Sequence, residues 1–176
     1  MSRVKPLSRS DVGDEEGAIY DEIERAFGMV PNLFKTYAHF PALLRSNWEK
    51  TKALMMGGQL PRSLKEMIAI VVSRANACRY CVAAHGMMLQ QLGFSEEQVR
   101  ALEEDIDRID LSDRERAILA FTQKSTTAPL SVTDGDVEVL RGHGLTDVEI
   151  VEVQGVMELF TGYNKFIDSL GVDLDF

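Results

Sequence analysis

The chain has 176 residues, which is enough to bury the core of one domain and marginal for two. Its composition, 45% apolar and 27% charged, is typical of a globular protein and excludes wholesale disorder. The net charge of −9 argues against binding to nucleic acid or to anionic membrane surfaces, because both are themselves negatively charged.

The first ten residues are polar and basic, and no apolar stretch of signal-peptide type follows them. The longest apolar-rich run, residues 67–72, is far too short to span a bilayer. We therefore expect a cytoplasmic protein. A reducing compartment disfavours a structural disulfide, so the two cysteines, Cys78 and Cys81, are expected to serve catalysis or metal binding.

Apolar residues recur at helical spacing along most of the chain, and glycine, proline and capping residues divide this pattern into segments. The pattern predicts a flexible segment over residues 1–13, followed by a single all-helical domain over residues 14–176. A strand is the rival interpretation of residues 68–72, but no turn signals bound that stretch closely. The predicted helices cover residues 14–27, 33–39, 41–56, 61–75, about 77–92 with Asn76 as the N-cap, 96–103, 113–127, 133–141 and 147–170.

Three predicted helices begin with a capping box, in which a Ser or Thr is followed three residues later by Gln or Glu. These pairs are Ser95 with Gln98, Ser112 with Glu115, and Thr146 with Glu149. The stretch 93–99 resembles 144–150, because in both a glycine ends one helix and a capped helix follows. This similarity indicates a weak internal helical repeat. Asn164, polar within an apolar helix, could support a site or a subunit contact.

The informative stretch contains Cys78, Cys81 and His85, at positions i, i+3 and i+7 of one predicted helix. At 3.6 residues per turn the three side chains share one helix face. The two sulfurs can therefore reach each other, and the imidazole lies about one turn beyond Cys81. Upstream, Glu66 lies in a helix predicted to be buried, where a carboxylate is costly without a partner such as His85.

A thiolate attacks a peroxide oxygen, whereas a free cysteine, with a pKa near ~8.5, is mostly protonated at neutral pH. Three features are expected to lower the pKa of the pair: a helix N-terminus, the neighbouring His85, and the positive charge of Arg79. Attack would yield a sulfenic acid, and the second cysteine would then close a redox-active disulfide. An external thiol reductant must reopen that disulfide.

The order of these residues resembles a known family. Glu66, eleven further residues, and then Cys78, Cys81 and His85 match the motif of the carboxymuconolactone decarboxylase-like superfamily, and within it the alkylhydroperoxidase D type. Residues 60–61, Gly93 and the stretch 30–34 are similar to the same family, the last to its peroxidase-related subgroup.

The resemblance implies an all-helical bundle that assembles as a homotrimer or homohexamer. It also implies a peroxidase in which Cys81 attacks the hydroperoxide, Cys78 resolves, and Glu66 and His85 relay protons. No cofactor is expected, and a lipoyl or thioredoxin-like protein would serve as reductant. Where the best-known members have a histidine between the cysteines, this chain has Tyr80, which leaves the rate, substrate and reductant open.

Other interpretations of the cysteines remain open at this point. Cys78 and Cys81 could be two buried small side chains, or they could bind zinc together with His85 and Glu66. The pair could instead serve a thiol–disulfide oxidoreductase with little peroxidase activity. A lactone decarboxylase, from the other branch of the superfamily, would not explain a cysteine pair. A non-catalytic metal-binding or scaffolding protein is the remaining alternative.

Overall fold

The computed structural model describes residues 1–175, and all regular structure in this range is helical. The all-helical prediction is therefore confirmed, and residues 68–72 are helix. No helix within residues 1–175 combines the length and the apolar character needed to cross a membrane. The α-helices are α1 (Asp14–Phe27), α2 (Asn32–Tyr37), α3 (Pro41–Thr51), α4 (Arg62–Ala75), α5 (Arg79–Gln91), α6 (Glu96–Glu104), α7 (Asp113–Thr127), α8 (Asp134–Gly142) and α9 (Asp147–Leu170).

The helix starts follow the capping signals in the sequence. All three predicted capping boxes form, and a fourth joins Thr133 to Asp136 at the start of α8. The predicted internal similarity corresponds to two turns of the same kind. Gly93 before α6 and Gly144 before α9 both have positive φ, of 97° and 81°. A residue without Cβ adopts this conformation at little cost.

Two predicted boundaries are wrong. The helix expected over residues 41–56 ends at Thr51 as α-helix and continues as a π-helical turn over Lys52–Met56. Asn76 is not the N-cap of α5, because it keeps near-helical backbone angles and ends α4 instead. Its amide N–H donates to the Val72 carbonyl, whereas an N-cap needs an extended backbone, and Cys78 has one.

The described chain forms two compact units, of which the first comprises Met1–Ala53 and the residues from Phe166 onward. Its buried centre is aromatic: the Trp48 ring meets Phe27 and Phe34 edge-on, at centroid distances of 5.6 and 5.7 Å. The Trp48 indole N–H donates to Glu22 Oε2 (2.8 Å). The Lys52 ammonium donates to the same oxygen and lies 5.6 Å from the centroid of the Trp48 ring.

The two ends of the chain are hydrogen-bonded within this first unit. The Arg3 amide donates to the Leu170 carbonyl, and Ser2 exchanges hydrogen bonds with Asp173. That residues 1–13 are flexible and that 14–176 form a single domain stays a prediction. The last residue of that predicted domain, Phe176, lies outside the described residues.

The second unit, Leu54–Lys165, is built around α4. Ten consecutive residues of α4, from Leu64 to Ser73, are buried, as expected of a helix that is covered on all sides. α5, α6 and α7 pack against it. This arrangement brings polar side chains of α4 into the interior, where each one requires a partner.

One such partner arrangement is a buried ion pair between Lys65, near the start of α4, and Glu152 on α9. The Lys65 ammonium, 2% exposed, lies 2.6 Å from Glu152 Oε1, and it also donates to the Gly57 carbonyl. The Glu152 carboxylate accepts the backbone N–H of Gln59 (2.7 Å) and that of Leu60. These bonds hold the loop from which α4 starts.

Candidate active site

The turn between α4 and α5 places the two cysteines. Ala77 adopts a left-handed conformation with φ of 58°, which is uncommon for a residue with a Cβ. It directs the chain so that Cys78 becomes the N-cap of α5 and Cys81 lies in its first turn. Both cysteines are free thiols, almost completely buried, and they approach to 3.8 Å. The spacing prediction that the two sulfurs can reach each other agrees with this geometry.

The surroundings of Cys81 contain both raising and lowering influences on its pKa. The hydrogen bond with Cys78, burial, and the charge on Cys78 raise the pKa of the Cys81 thiol well above its usual value. Hydrogen bonds with Asn164 and Ser73 lower it, but by less. The expected lowering of the pKa is therefore wrong for Cys81, because two adjacent thiols disfavour a second charge and burial disfavours any charge. Arg79 is exposed.

A polar network reaches Cys81 from the far end of the chain. Asn164, on α9, is fully buried and its Nδ2 donates to Ser73 Oγ (3.0 Å). Its Oδ1 accepts a hydrogen bond from Asn76 Nδ2, also at 3.0 Å. The sequence interpretation noted Asn164 as polar within an apolar helix, and the structure places it beside the thiol. Ser73 and the side-chain role of Asn76 were not predicted.

The second pair of predicted site residues is also joined. Glu66 Oε2 lies 2.5 Å from His85 Nδ1, between α4 and α5, and the carboxylate is completely buried. Burial alone would raise the pKa of Glu66. The charge and hydrogen bond of His85, together with those of Arg62, outweigh burial and lower the pKa. Glu66 is therefore an ionised buried carboxylate with two partners. The sequence predicts a partner such as His85, because an unpaired carboxylate in a buried helix is costly.

Arg62 is a residue of this site that sequence reasoning missed. Its Nε donates to Glu66 Oε1 at 2.5 Å, and its Nη1 donates to the Met55 carbonyl at 2.9 Å. The available signal was the spacing, since Arg62 precedes Glu66 by one helical turn. The Met55 carbonyl lies in the π-helical turn, so this irregular segment orients the guanidinium.

His85 follows Cys81 by one turn of α5. Its side chain is 15% exposed, and its ring meets the Phe160 ring edge-on at 4.4 Å. Tyr80, between the cysteines, is buried. The structure thus brings all four predicted residues, Glu66, Cys78, Cys81 and His85, into two contacting pairs on α4 and α5.

The zinc alternative required three or more ligands at one point. Among residues 1–175, no group of three His, Cys, Asp or Glu side chains could hold a metal ion. The Glu66 carboxylate, the expected fourth ligand, is engaged by Arg62 and His85 instead. The geometry therefore gives no support to a zinc site.

Comparison with known proteins agrees with this architecture. The model of the carboxymuconolactone decarboxylase family matches residues 41–124. A peroxidase-related protein of Ralstonia eutropha with an alkylhydroperoxidase AhpD core is 30% identical, with a TM-score of 0.91 over 99% of this chain and 92% of that one. A peroxidase-related protein of Silicibacter is 32% identical, with a TM-score of 0.88 over 97% and 91%.

Among curated proteins, an alkyl hydroperoxide reductase of Mycobacterium tuberculosis is 29% identical over 93 residues. This match covers 53% of the present chain and only 27% of that protein. The chain belongs to the carboxymuconolactone decarboxylase-like superfamily, in its alkylhydroperoxidase D type. The family indicated by the motif is confirmed.

Proposed function

We propose that this protein is a thiol-dependent peroxidase that reduces hydrogen peroxide or organic hydroperoxides. The observation that carries the proposal is the contact between Cys78 and Cys81 at the start of α5, 3.8 Å apart, with the Glu66–His85 pair one turn further along. The names of the similar proteins, which refer to peroxidase activity, support the same class of reaction.

In the proposed reaction the Cys81 thiolate attacks one oxygen of the hydroperoxide. A sulfur–oxygen bond forms, the oxygen–oxygen bond breaks, and the departing alkoxide takes up a proton and leaves as an alcohol, or as water from hydrogen peroxide. The Cys78 thiol then attacks the sulfenic acid, the sulfur–oxygen bond breaks, a disulfide forms, and one water is released. A dithiol reductant of lipoyl or thioredoxin type returns both cysteines to thiols.

The first step requires a base, because burial and the adjacent Cys78 raise the pKa of Cys81. His85 suits this role in the proposal. In the neutral form of His85, with Nδ1 donating to the ionised Glu66 carboxylate, the other ring nitrogen is an acceptor. The imidazolium formed on proton uptake is stabilised by Glu66, and it can return the proton to the leaving alkoxide.

The proposal includes assembly as a homotrimer or homohexamer. Exposed large apolar side chains on α8 and α9, namely Val139, Val148 and Val151, support it. Light scattering at micromolar concentration tests this part separately, and a single monomeric species would contradict it.

The test is stopped-flow oxidation of the reduced protein by hydrogen peroxide and by cumene hydroperoxide, with thiols counted before and after. We expect loss of two thiols per chain in the wild type. Cys81→Ser should abolish the reaction, and Cys78→Ser should stop at a sulfenic acid that dimedone traps on Cys81. Reaction no faster than that of a free thiol, or full activity in Cys81→Ser, would contradict the proposal.

A second candidate is a thiol–disulfide oxidoreductase that passes electrons between protein or lipoyl dithiols. The buried Tyr80, where family members have a histidine, and the raised pKa of Cys81 favour this candidate. It predicts rapid exchange with a lipoamide disulfide and negligible consumption of peroxide. Both reactions can be measured on the same reduced protein.

A further inference from the structure

The amide of Asn164 has three hydrogen-bonding partners. Oδ1 accepts from Asn76, one N–H donates to Ser73 Oγ, and the amide also contacts the Cys81 thiol. The side chain is 0% exposed, so water cannot replace any of these bonds. A buried amide with this set of partners has one favourable orientation, with its NH₂ group toward Ser73 and Cys81.

Ser73 takes part in the same arrangement from α4. Its side chain is also 0% exposed, and its hydroxyl accepts from Asn164 while bonding to Cys81. Its backbone carbonyl accepts the Cys78 amide N–H at 2.8 Å. Ser73 therefore contacts both cysteines. Its backbone carbonyl holds the turn that carries Cys78, and its hydroxyl faces the Cys81 sulfur.

From this geometry we infer that Asn164 and Ser73 form a donor pair that stabilises the sulfur anion of Cys81, with Asn76 fixing the orientation of the Asn164 amide. Both donors touch the reacting sulfur, so they act in catalysis, whereas Asn76 is a positioning residue. The inference rests on the proposed function in taking Cys81 as the attacking thiol. Hydrogen bonds to a charged sulfur stabilise the charge more strongly in a water-free interior than at the surface.

The arrangement accounts for how an almost completely buried thiol can carry a charge. The first turn of α5 supplies backbone N–H groups on one side, and the donor pair supplies side-chain N–H and O–H groups on another. The titratable group that acts on Cys81 is Cys78. Its replacement by serine isolates the effect of the donors on Cys81.

The experiment measures the pH dependence of alkylation of Cys81 by iodoacetamide in the Cys78→Ser protein. Asn164→Leu and Ser73→Ala are each expected to raise the thiol pKa by about one unit, which slows alkylation at pH 7 about tenfold. Asn76→Ala should give a smaller rise, since the donors remain but the amide can turn. Thr122→Val is the matched control, because Thr122 is fully buried and its hydroxyl donates to Ile118 of its own helix.

Circular dichroism establishes which variants fold. If Asn164→Leu does not fold, Ser73→Ala and Asn76→Ala decide, since the first deletes a single hydroxyl oxygen and the second lies at a partly exposed position. An unchanged thiol pKa in the folded variants, or an equal rise in Thr122→Val, would overturn the inference. Alkylation needs no peroxide, so a wild type inert to peroxide whose thiol pKa depends on Asn164 contradicts only the proposed function. A wild type active toward peroxide with an Asn164-independent pKa contradicts only the donor pair.

Discussion

Glu66 and His85 are joined by a hydrogen bond of 2.5 Å in which the carboxylate is completely buried and the imidazole is 15% exposed. The two residues come from adjacent helices, α4 and α5, and the bond therefore relates the orientation of one helix to that of the other. A carboxylate in such a place is stable only as long as it keeps cationic partners, which makes it sensitive to pH.

The stability of the protein should depend on pH through Glu66. Its pKa in the folded protein lies below the usual 4.5, so its contribution to the free energy of unfolding is present above pH 4.5 and is lost as the pH falls toward the folded pKa. Glu66→Gln should therefore be destabilising at pH 7, and the difference from wild type should shrink below pH 4.5. Urea unfolding at pH 7, 5 and 4 measures this. A difference that is constant with pH would show that ionisation of Glu66 contributes nothing.

Arg62 should act through Glu66 on the pH dependence of the peroxide reaction. In Arg62→Met the carboxylate keeps only His85 against the effect of burial, so its pKa should rise. We expect the acidic limb of the rate profile to move to higher pH and the rate at pH 7 to fall about tenfold. Stopped-flow oxidation between pH 5 and 9 measures both. Arg100→Met removes an exposed pair with Glu96 and is the control. Equal profiles for the two variants would exclude the role given to Arg62.

The buried ion pair of Lys65 and Glu152 should matter for stability far more than any surface pair. Glu152→Gln leaves the Lys65 ammonium uncompensated in the interior, and the expected loss is about 3–5 kcal/mol. The double variant Lys65→Met with Glu152→Leu should lose much less, because no buried charge remains. Denaturant unfolding gives the free energies, with the exposed Glu97→Gln as control. If the double variant is as unstable as the single one, the loop contacts of Glu152, and not the charge, dominate.

Ala77 should tolerate glycine better than its helical neighbour does. Ala77→Gly removes the cost of a left-handed residue with a Cβ, and we expect a gain of about 0.5–1 kcal/mol in the free energy of unfolding. Ala75→Gly, in the last position of α4, should lose a similar amount because glycine is a poor helix former. Thermal unfolding of both variants under reducing conditions provides the comparison. A loss in Ala77→Gly would mean that the turn is not strained.

The sequence was sufficient for the helices that have strong local signals. The capping boxes at Ser95, Ser112 and Thr146 depend on residues three positions apart, so they can be identified without knowing the fold. The π-helical turn after Thr51 has no such signal, since the apolar pattern continues through it. Asn76 is a good N-cap by residue type, but the backbone of the turn assigns that position to Cys78.

In the candidate site, too, contacts between residues close in sequence could be predicted, whereas contacts between distant residues could not. The closeness of Cys78 and Cys81 agrees with the prediction, because helical geometry brings residues three positions apart to one face. The donors to Cys81 and the partner of Lys65 were not predicted, since Asn164 is 91 residues from Ser73 and Glu152 is more than 80 residues from Lys65. Such contacts depend on how whole helices pack. The only local signal was a polar residue in an apolar helix.

The position of the single tryptophan has a practical consequence. Trp48 is 2% exposed and lies in the aromatic centre of the first compact unit, whereas the cysteine pair lies in the second. Its emission therefore reports the loss of packing in the first unit, while far-ultraviolet ellipticity follows the helices of the entire chain. Coincidence of the two signals during denaturation would indicate one cooperative transition, and their separation would give the order in which the two units melt.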